Sequence, residues 1–497
     1  MSVESYGNIV NGTEDHEGSE YVLKSPATGD TIATVVDGGV KKIREAIDAA
    51  QDAFYGIWSK TSLHDRKILL QKLSDRIQER SNEYAMLESL STGKTLRQST
   101  LMDIPLGIEH ISYFANETEF SLERKIEHPE FPDTHGIIQN VPMGVVGAIT
   151  PWNVPFLMAV WKAAPALLAG NTLVIKPSSS TPITTIEMAK DALSVGFPPG
   201  VLNVVCGKGE TAGEELAKSE KIRMLSFTGS TETGRHISSV AGVKKLTLEL
   251  GGKSPNIVFE DADLERASMG VIFGIYLNSG QLCESGSRLL VQSSIKEKFL
   301  VTLRKKLDEM KAGNPMEMET DVSAITTRSQ KLKIEKLVTE GLQEGSNLYY
   351  SKNIDGLVPS LGFYYPPTIL DNVNMDMKIG NEEIFGPVLS AIEFKNENEA
   401  VEIANRSSYG LAAGVWTKDR NKAMRVASSI ESGTVWINEY HLLSAAAPRG
   451  GFKNSGVGRE LGLEGILEYT QTRHIFVGSE SGEQDQVAYG LVLAKQS

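Results

Sequence analysis

Short apolar runs alternate with helix-like stretches from residue 137 onwards, and this alternation constrains the fold more than any other feature of the sequence. The runs NTLVIKPSS, VLNVVCGKG and MLSFTGSTETG are rich in apolar and β-branched residues and lead into Gly, Ser or Pro. Helical patterns follow them, for example over 182–195 and 210–219. Strands that alternate with helices in this way predict βαβ units on a parallel sheet.

Two or three domains are expected, because 497 residues are too many for a single hydrophobic core. The first third is predicted to be helical, since GVKKIREAIDAAQDAFYGIW and LHDRKILLQKLSDRIQERSNEYAMLESLSTGK place apolar residues three and four positions apart. A second alternating region follows KKLTLELGGKSPNIVF, with helices near 263–278 and 293–311 and strands at SRLLVQ, VLSAIEF and TVWIN. We therefore place the boundary near residue 252.

Composition and charge argue against several classes of protein. A net charge of −13 disfavours a nucleic-acid partner, because phosphate binding needs a basic surface. No apolar run approaches the roughly 18 residues of a membrane span, and the acidic N-terminus has no apolar signal core. The absence of a signal and the presence of only two cysteines predict a cytoplasmic protein without a disulfide scaffold. Histidine is rare, and neither HExxH nor paired CxxC occurs, so no metal site is expected.

Cys283 stands in YLNSGQLCESGSRLLV, a run of small and polar residues that is not typical of a core. A thiol acts as a nucleophile only as the thiolate, in a polar and partly open site. Cys206 provides a contrast, because it ends the apolar run LNVVC and is expected to be inert. An isolated cysteine is more often a small buried hydrophobe, so the local sequence leaves both interpretations of Cys283 open.

Further motifs place polar groups at predicted strand ends or turns. In FTGSTETG, Gly229 and Ser230 are predicted to open a helix whose free N–H groups would bind a phosphate. Lys176 lies just beyond a strand, where parallel sheets bind ligands. Glu249 lies between two leucines, where a carboxylate is costly unless partnered and often takes the raised pKa of a base. Asn153 offers an amide that can donate to an oxyanion. Each motif also has a purely structural interpretation, so none decides the function alone.

Taken together and in order, nine runs of the sequence resemble the aldehyde dehydrogenase superfamily, of the hydrolytic type, over nearly the whole chain. These runs are ITPWN, APALLAGNTLVIKPS, PPGVLNVVCG, SFTGSTETG, LELGGKSPNIVF, NSGQLCESGSRLLV, EEIFGPV, GTVWIN and GGFKNSGVGRE. SGSRLLV, GTVWIN and the GRELG…EYT segment are most similar to the betaine-aldehyde and broad-specificity branch.

The resemblance implies an α/β architecture in three parts. These are a Rossmann-like NAD(P)-binding domain at 1–119 and 143–252, an α/β catalytic domain at 253–454, and a small β oligomerisation arm at 120–142 and 470–480, followed by a C-terminal tail at 481–497. Members of the family form dimers or tetramers, so a homodimer or homotetramer is expected. The implied cofactor is NAD or NADP, and the implied substrate is a small-molecule aldehyde.

The resemblance also implies a reaction. Cys283 would attack the aldehyde to give a thiohemiacetal, held by the Asn153 side chain and the N–H of Cys283. Hydride transfer to the nicotinamide would leave a thioester, and Glu249 would activate water to hydrolyse it. Lys162 and Glu460 match residues of a proton-exit path from that base. The presence of Glu249 favours the hydrolytic type over the CoA-acylating type, which typically lacks it.

Cofactor contacts carry over by motif. The matched residues are Thr150, Trp152, Lys176, Ser179, Gly229, Ser230, Glu383 and Phe385. NAD-preferring members commonly carry Glu at the position of Ser179, where it binds ribose hydroxyls and would repel a 2′-phosphate. We therefore expect NADP⁺ to be accepted, and we hypothesise that it is preferred over NAD⁺. The alternative is that other contacts hold NAD⁺ and that Ser179 is neutral.

The substrate side departs from the family pattern. The candidate substrate residues are Trp161, Leu277, Glu284, Leu443 and Arg449. Before GGxK the family usually has Pro and an aromatic residue, but this chain has PRGG, and Leu277 and Leu443 stand where aromatic residues are frequent. Because a quaternary ammonium group is held by aromatic walls, betaine aldehyde is not the expected substrate.

Two interpretations of Arg449 remain open. It binds the distal carboxylate of a semialdehyde, or it pairs with Glu284 and leaves a neutral site for hydroxylated, aromatic or simple aliphatic aldehydes. Glu284 is also expected to raise the pKa of Cys283 unless Arg449 or the positive ring of the cofactor compensates for its charge. A non-catalytic structural member of the family is a further alternative, and intact Cys283, Glu249 and Asn153 argue against it.

Overall fold

Two largely parallel sheets organise the computed structural model, which describes residues 4–116, 122–131, 133–479 and 492. The first sheet has the strand order β22 (Gly456–Val457), β12 (Lys245–Glu249), β11 (Met224–Thr228), β8 (Val145–Ile149), β9 (Thr172–Lys176), β10 (Leu202–Val204), β2 (Asn8–Val10) and β3 (Thr13–Asp15). The strands from β12 to β10 are parallel, whereas β22, β2 and β3 each pair antiparallel with their neighbours. The predicted α/β fold class is confirmed.

The order in which the chain adds strands to this sheet reverses at β8. Strands β8, β9 and β10 follow one another to one side, and the chain then returns to add β11 on the other side of β8. The carboxyl ends of β8 and β11 therefore form a switch point, the place where open parallel sheets bind ligands. Asn153 and Gly229 follow β8 and β11, and Glu249 is the last residue of β12.

The second sheet has the strand order β15 (Asn347–Ser351), β16 (Thr368–Asp371), β17 (Val388–Phe394), β14 (Arg288–Gln292), β13 (Pro255–Val258), β19 (Ala412–Trp416) and β20 (Thr434–Ile437). All of its pairs are parallel except β15 with β16. Alternate residues of each large sheet enter two different apolar clusters, one on each face. The chain passes from the first sheet to the second between Glu249 and Pro255, and the predicted boundary at residue 252 lies in this interval.

Helices cover both faces of the two sheets. They are α1 (Gly39–Gly56), α2 (Leu63–Glu79), α3 (Ser81–Thr92), α4 (Leu96–Gln98), α5 (Ile104–Asn116), α6 (Pro155–Leu168), α7 (Ile183–Ser194), α8 (Glu214–Lys218), α9 (Thr231–Val240), α10 (Leu264–Tyr276), α11 (Lys296–Glu309), α12 (Arg328–Gln343), α13 (Lys378–Asn381), α14 (Glu397–Asn405), α15 (Arg420–Ser429) and α16 (Gly462–Glu468). Every residue of α6 is buried, as its apolar sequence requires. No helix in the described part of the chain is long and apolar enough to cross a membrane.

The first third differs from the prediction in two respects. The helical pattern that starts at residue 63 is interrupted at Arg80 (φ −101°, ψ 13°), so that α2 and α3 are separate helices. Short strands also precede α1, and three of them, β1 (Glu4–Tyr6), β5 (Thr31–Asp37) and β4 (Ser19–Lys24), form a sheet. Strand β5 lacks strict alternation, since its neighbouring valines Val35 and Val36 are both buried, and pairing with β1 and β4 stabilises it.

A separate antiparallel sheet contains β6 (Glu123–Glu127), β7 (His135–Pro142) and β23 (Thr470–Val477). Strand β23 pairs with β7 over its whole length. These strands lie in the segments predicted to form an oligomerisation arm, and that role stays a prediction. Residues 120, 121, 132 and 480 of the arm, and the tail at 481–497 apart from Val492, lie outside the described residues.

Candidate active site

A cavity at the switch point of the first sheet brings most of the predicted site residues together. Its volume is about 180 Å³, and it lies between the first sheet and the loop that precedes β14. The predicted residues that line it are Trp152, Asn153, Trp161, Gly229, Ser230, Glu249, Cys283, Glu284, Glu383, Phe385, Leu443 and Arg449. Thr150, Lys162, Lys176, Ser179 and Glu460 do not line it, and the half-buried Leu277 does not reach it either.

Cys283 lies on a loop whose backbone is held in an unusual conformation. The preceding residues Asn278, Ser279 and Gly280 all have positive φ angles, of 49°, 49° and 71°. For residues other than glycine this conformation costs free energy, and such strain persists only where surrounding contacts hold it. Here the Gln281 side chain donates to the carbonyl oxygen of Asn278 at 3.0 Å. The half-buried thiol is therefore presented by a fixed turn.

The surroundings of Cys283 favour the neutral thiol. Burial raises the pKa of Cys283 to about 12, the charges of Glu249 and Glu383 raise it further, and Arg449 lowers it. Glu284 was expected to raise this pKa unless Arg449 compensated for its charge, and its carboxylate does pair with Arg449 and contact His441. A cationic ring bound close to the thiol would favour the thiolate.

Asn153 lies beside this loop with 5% of its surface exposed. Its Nδ2 atom donates to the carbonyl oxygen of Gln281 at 2.7 Å, and Nδ2 of Asn278 donates to the carbonyl oxygen of Asn153 at 3.2 Å. The amide of Asn153 is thus oriented by the strand-end segment and by the Cys283 loop together. An amide nitrogen carries two hydrogens, so one remains for an oxygen in the cavity.

Glu249 combines burial with an unsatisfied oxygen. It is 5% exposed, and its Oε1 atom has no hydrogen-bond partner among the described residues. Burial and the charge of Glu460 raise the pKa of Glu249 to about 8, whereas Arg449 and Lys162 oppose this shift. A carboxyl group with such a pKa can take up a proton from water near neutral pH.

Lys162 and Glu460 form a buried ion pair near Glu249. Helix α6 places Nζ of Lys162 where it donates to the Glu460 carboxylate, to Ser226 at 3.0 Å and to Thr228 at 2.9 Å. The backbone of Glu460 pairs with that of Arg449 through two hydrogen bonds of 2.7 Å. Arg449, Glu460 and Lys162 therefore form a continuous set of polar groups from the cavity wall into the protein interior.

The far wall of the cavity holds Arg449, and here the structure supports the pairing interpretation. The Arg449 guanidinium forms an ion pair with Glu284 and lies 5.7 Å and 5.8 Å from the ring centres of Trp161 and Trp436. His441 contacts the same carboxylate, with Nδ1 2.7 Å from Oε1 of Glu284. Sequence reasoning missed Trp436 and His441, because no local signal shows that Trp436 faces Arg449 or that His441 contacts Glu284.

The turn between β11 and α9 fits a dinucleotide pyrophosphate. Ser230 caps α9 by accepting from the N–H of Thr233 at 3.1 Å, while the other first-turn N–H groups have no partner within the helix. A Cβ atom on Gly229 would lie 2.5 Å from the Phe227 ring, so only glycine fits this turn. This turn lines the same cavity as Cys283.

Both ends of a bound dinucleotide would also find matching groups. At one end, Trp152 and Phe385 pack edge to face at 5.2 Å, and the Glu383 carboxylate accepts from the N–H of Gly252 at 2.9 Å. At the other end, Lys176 and Ser179 donate to the carbonyl oxygen of one residue, Gly207, at 3.0 Å and 2.9 Å. Burial lowers the pKa of Lys176 to about 8.

Comparison with known proteins agrees with this geometry. The profile of the aldehyde dehydrogenase family matches residues 13–475 of the chain. The chain belongs to the aldehyde dehydrogenase family. Members of this family are NAD-dependent oxidoreductases that act on small-molecule aldehydes, so the predicted family, enzyme class and NAD(P) cofactor are confirmed.

Two curated relatives from Bacillus subtilis cover most of this aldehyde dehydrogenase. A betaine aldehyde dehydrogenase is 45% identical over 91% of this chain and 93% of its own length. A putative aldehyde dehydrogenase is 38% identical over 93% of each protein.

Solved structures give the same result. Betaine aldehyde dehydrogenase from Staphylococcus aureus in complex with NAD⁺ is 39% identical and covers 96% of this chain and 95% of its own, with a TM-score of 0.93. An NAD-dependent aldehyde dehydrogenase from Sinorhizobium meliloti is 37% identical with the same coverage and TM-score. The similarity to betaine aldehyde dehydrogenases is consistent with the predicted branch.

Proposed function

We propose that this aldehyde dehydrogenase oxidises an aldehyde to the carboxylic acid through a thioester on Cys283, which Glu249 hydrolyses by activating water. One observation carries the proposal. A half-buried thiol lines the same cavity as an oriented amide and a buried carboxyl group that has an unsatisfied oxygen and a raised pKa. Nucleophile, oxyanion donor and base are the groups that this reaction needs.

The first half of the reaction makes the aldehyde able to lose hydride. Attack by the Cys283 thiolate converts the flat carbonyl into a tetrahedral thiohemiacetal. The Asn153 amide and the N–H of Cys283 donate hydrogen bonds to its negative oxygen. When bound, NAD⁺ or NADP⁺ supplies the hydride acceptor. Collapse of the negative oxygen to a carbonyl then leaves a thioester on Cys283.

The second half of the reaction releases the acid. The Glu249 carboxylate takes a proton from water as the water attacks the thioester carbonyl, and the Cys283 thiolate leaves. The proton on Glu249 must then reach solvent before the next turnover. Glu460 and Lys162 supply polar groups for that transfer, since Glu460 also has a carboxylate oxygen without a partner among the described residues.

The proposal is tested by the absorbance of the reduced cofactor in a panel of aldehydes with NAD⁺ and with NADP⁺. We expect the wild-type protein to reduce the cofactor and Cys283→Ala to lose at least about 10⁴-fold in kcat. Cys206→Ala is the matched control, because Cys206 is fully buried and inert, and it should keep its activity. Reduction by Cys283→Ala at the wild-type rate would refute the proposal, as would the absence of reduction with any aldehyde.

A second candidate is a semialdehyde dehydrogenase in which Arg449 binds a distal carboxylate. The presence of a buried guanidinium in the cavity wall favours it. The ion pair with Glu284 weighs against it, because the charge that an anionic substrate would need is already neutralised. A non-catalytic role is disfavoured by the complete set of Cys283, Asn153 and Glu249 in the same cavity.

A further inference from the structure

The wall of the cavity beyond Cys283 contains a cation that belongs to the protein itself. The Arg449 guanidinium lies against the rings of Trp161 and Trp436, at 5.7 Å and 5.8 Å from their centres. Indole rings at this distance attract cations, and cages of aromatic rings are the usual means by which proteins bind quaternary ammonium groups. Here the side chain of Arg449, with only 5% of its surface exposed, already occupies that position.

Both indole rings are held in place by further hydrogen bonds. The indole N–H of Trp161 donates to Nδ1 of His110 at 2.8 Å, and that of Trp436 donates to the carbonyl oxygen of Leu442 at 2.9 Å. These bonds fix the orientation of each ring. Both aromatic surfaces that face Arg449 are therefore fixed, and Trp161 is one of the residues that line the cavity.

Glu284 neutralises the guanidinium and is itself held by two neighbours. His441 lies with Nδ1 2.7 Å from Oε1 of Glu284 and with Nε2 3.1 Å from the carbonyl oxygen of Gly274. The hydroxyl of Tyr440 donates to the backbone carbonyl oxygen of Glu284 at 2.9 Å. His441 and Glu284 have 2% and 6% of their surfaces exposed, so this arrangement is shielded from water and salt.

The backbone of Arg449 is also fixed. It exchanges two hydrogen bonds of 2.7 Å with Glu460, whose carboxylate is bound to the buried Lys162. The guanidinium is thus held at its root by a backbone pair and at its tip by Glu284. Displacing it into solvent would leave the Glu284 carboxylate buried without its partner, which is strongly unfavourable.

We propose that Arg449 is the built-in occupant of a cation site and that the enzyme consequently selects uncharged aldehydes, with Glu284 and His441 as the residues that hold Arg449 in place. The proposal rests on the proposed function. A cationic aldehyde finds the aromatic surfaces occupied and a fixed positive charge nearby. An anionic aldehyde finds a guanidinium that is already paired and a carboxylate close to the nucleophile. Polar side chains such as Gln98 and Asp103 also line the cavity, but Leu157, Met158 and Leu443 supply apolar surface that favours an uncharged tail.

Two substrates of the same shape isolate the effect of charge. Betaine aldehyde carries a trimethylammonium group, and 3,3-dimethylbutanal has a carbon in place of that nitrogen. For the wild-type enzyme we expect kcat/KM for 3,3-dimethylbutanal to exceed that for betaine aldehyde by about a hundredfold or more. Succinic semialdehyde, as the anionic probe, should also be the poorer substrate. Comparable kcat/KM values for betaine aldehyde and 3,3-dimethylbutanal would overturn the proposal.

Variants test which side chains impose the selection. Arg449→Met removes the cation from the two indole rings and leaves the Glu284 carboxylate without its guanidinium partner, so the ratio of kcat/KM for betaine aldehyde over 3,3-dimethylbutanal should rise at least about tenfold. Glu284→Gln frees Arg449, so the ratio for succinic semialdehyde over 3,3-dimethylbutanal should rise instead. The double variant carries neither charge and leaves no unpaired ion buried. Each of its two ratios should therefore lie between the values for the two single variants. Unchanged ratios in all three variants would overturn the assignment.

His441→Asn tests the positioning role, because Asn cannot reach both oxygens that His441 contacts. Its effect should appear in the ratios among the three substrates, whereas a merely structural role would lower all three kcat/KM values by the same factor. A uniform loss would therefore overturn the role of His441. The wild-type panel separates this inference from the proposed function: if no aldehyde reduces the cofactor, both fail, and if reduction occurs without charge selection, only this inference fails.

Discussion

Glu249 is the residue expected to set the pH dependence of thioester hydrolysis. Burial and the charge of Glu460 raise its pKa to about 8. The base form is the carboxylate, which predominates above that value, so the rate of hydrolysis should rise with pH and level off above about pH 8. Measuring kcat of the wild-type enzyme from about pH 6 to about pH 10, with hydrolysis shown to be rate-limiting, checks this expectation. A rate that stays flat across this range, as expected for a carboxyl group with the ordinary glutamate pKa of about 4.3, would contradict it.

Replacing either of two charged residues near Glu249 should shift the pKa of Glu249, and the two shifts should have opposite directions. Glu460 raises the pKa of Glu249 and Arg449 lowers it. Glu460→Gln should therefore move the inflection of the pH profile to lower pH, and Arg449→Met should move it to higher pH. If both variants move the inflection in the same direction, the electrostatic account of Glu249 is wrong.

Ser179 is the residue expected to decide whether the 2′-phosphate of NADP⁺ is tolerated. Its hydroxyl donates to the carbonyl oxygen of Gly207 next to Lys176, and it carries no negative charge. Ser179→Glu should lower kcat/KM for NADP⁺ by about a hundredfold through charge repulsion and leave that for NAD⁺ within about threefold. Steady-state kinetics with both cofactors measure this. A wild-type kcat/KM for NAD⁺ tenfold or more above that for NADP⁺ would refute an NADP⁺ preference.

At this scale, motifs predicted residues that the structure brings into one cavity, but not the surroundings of those residues. Cys283, Asn153 and Glu249 lie in recognisable sequence motifs, and they line the same cavity. The partners of Glu284 were only partly predictable. Its pairing with Arg449 could be predicted because the two residues have opposite charges and both were candidate substrate residues. Its contact with His441 could not, because it depends on how a loop far along the chain returns to the cavity.

At the scale of elements, the segment between α3 and α5 contributes both to the stability of the fold and to the support of the candidate active site. Lys94 is fully buried and pairs with Glu88 at 3.3 Å and with Asp103. Gln98, in the same segment, accepts from the N–H of Asn278 at 3.1 Å, and Asn278 begins the strained turn before Cys283. This buried cluster therefore supports the loop that carries Cys283, the proposed nucleophile.

Lys94→Met should leave two buried carboxylates without their cation. We expect it to lower the free energy of unfolding by about 3–5 kcal/mol, seen as a clear fall in thermal midpoint. Lys41→Met is the control, since Lys41 pairs with Glu17 at 2.7 Å on the surface, and such exposed pairs contribute about 1 kcal/mol or less. Equal thermal midpoints for the two variants would show that the buried cluster does not stabilise the fold.

Elements with strong periodic patterns were predictable, and short or tertiary-dependent ones were not. The strand, turn and helix around Gly229 and Ser230 follow directly from FTGSTETG. The break at Arg80 was missed because both flanking helices continue an amphipathic pattern. At that point Arg80 bonds to Glu187 and Asp191 of a different helix, and such contacts are invisible to local pattern.

At the scale of the whole molecule, the site exists only because two sheets meet. Glu249 ends a strand of the first sheet, whereas Cys283 lies on the loop that leads into the second. A Cβ atom on Gly252, between the sheets, would lie 2.3 Å from the carbonyl oxygen of Cys283. The glycine therefore permits this close approach of the two parts. Alternation of strands and helices predicted both sheets, but their mutual placement required the resemblance to a known family or the structure itself.

The most direct test of the account uses Glu249→Gln, which keeps the nucleophile and removes the base. Mixed with NAD⁺ and a good aldehyde substrate, this variant should reduce one equivalent of cofactor per subunit and then stall. Mass spectrometry should find the acyl group as a thioester on the peptide that contains Cys283. Sustained turnover at the wild-type rate, or a burst of reduced cofactor with no adduct on Cys283, would contradict the account.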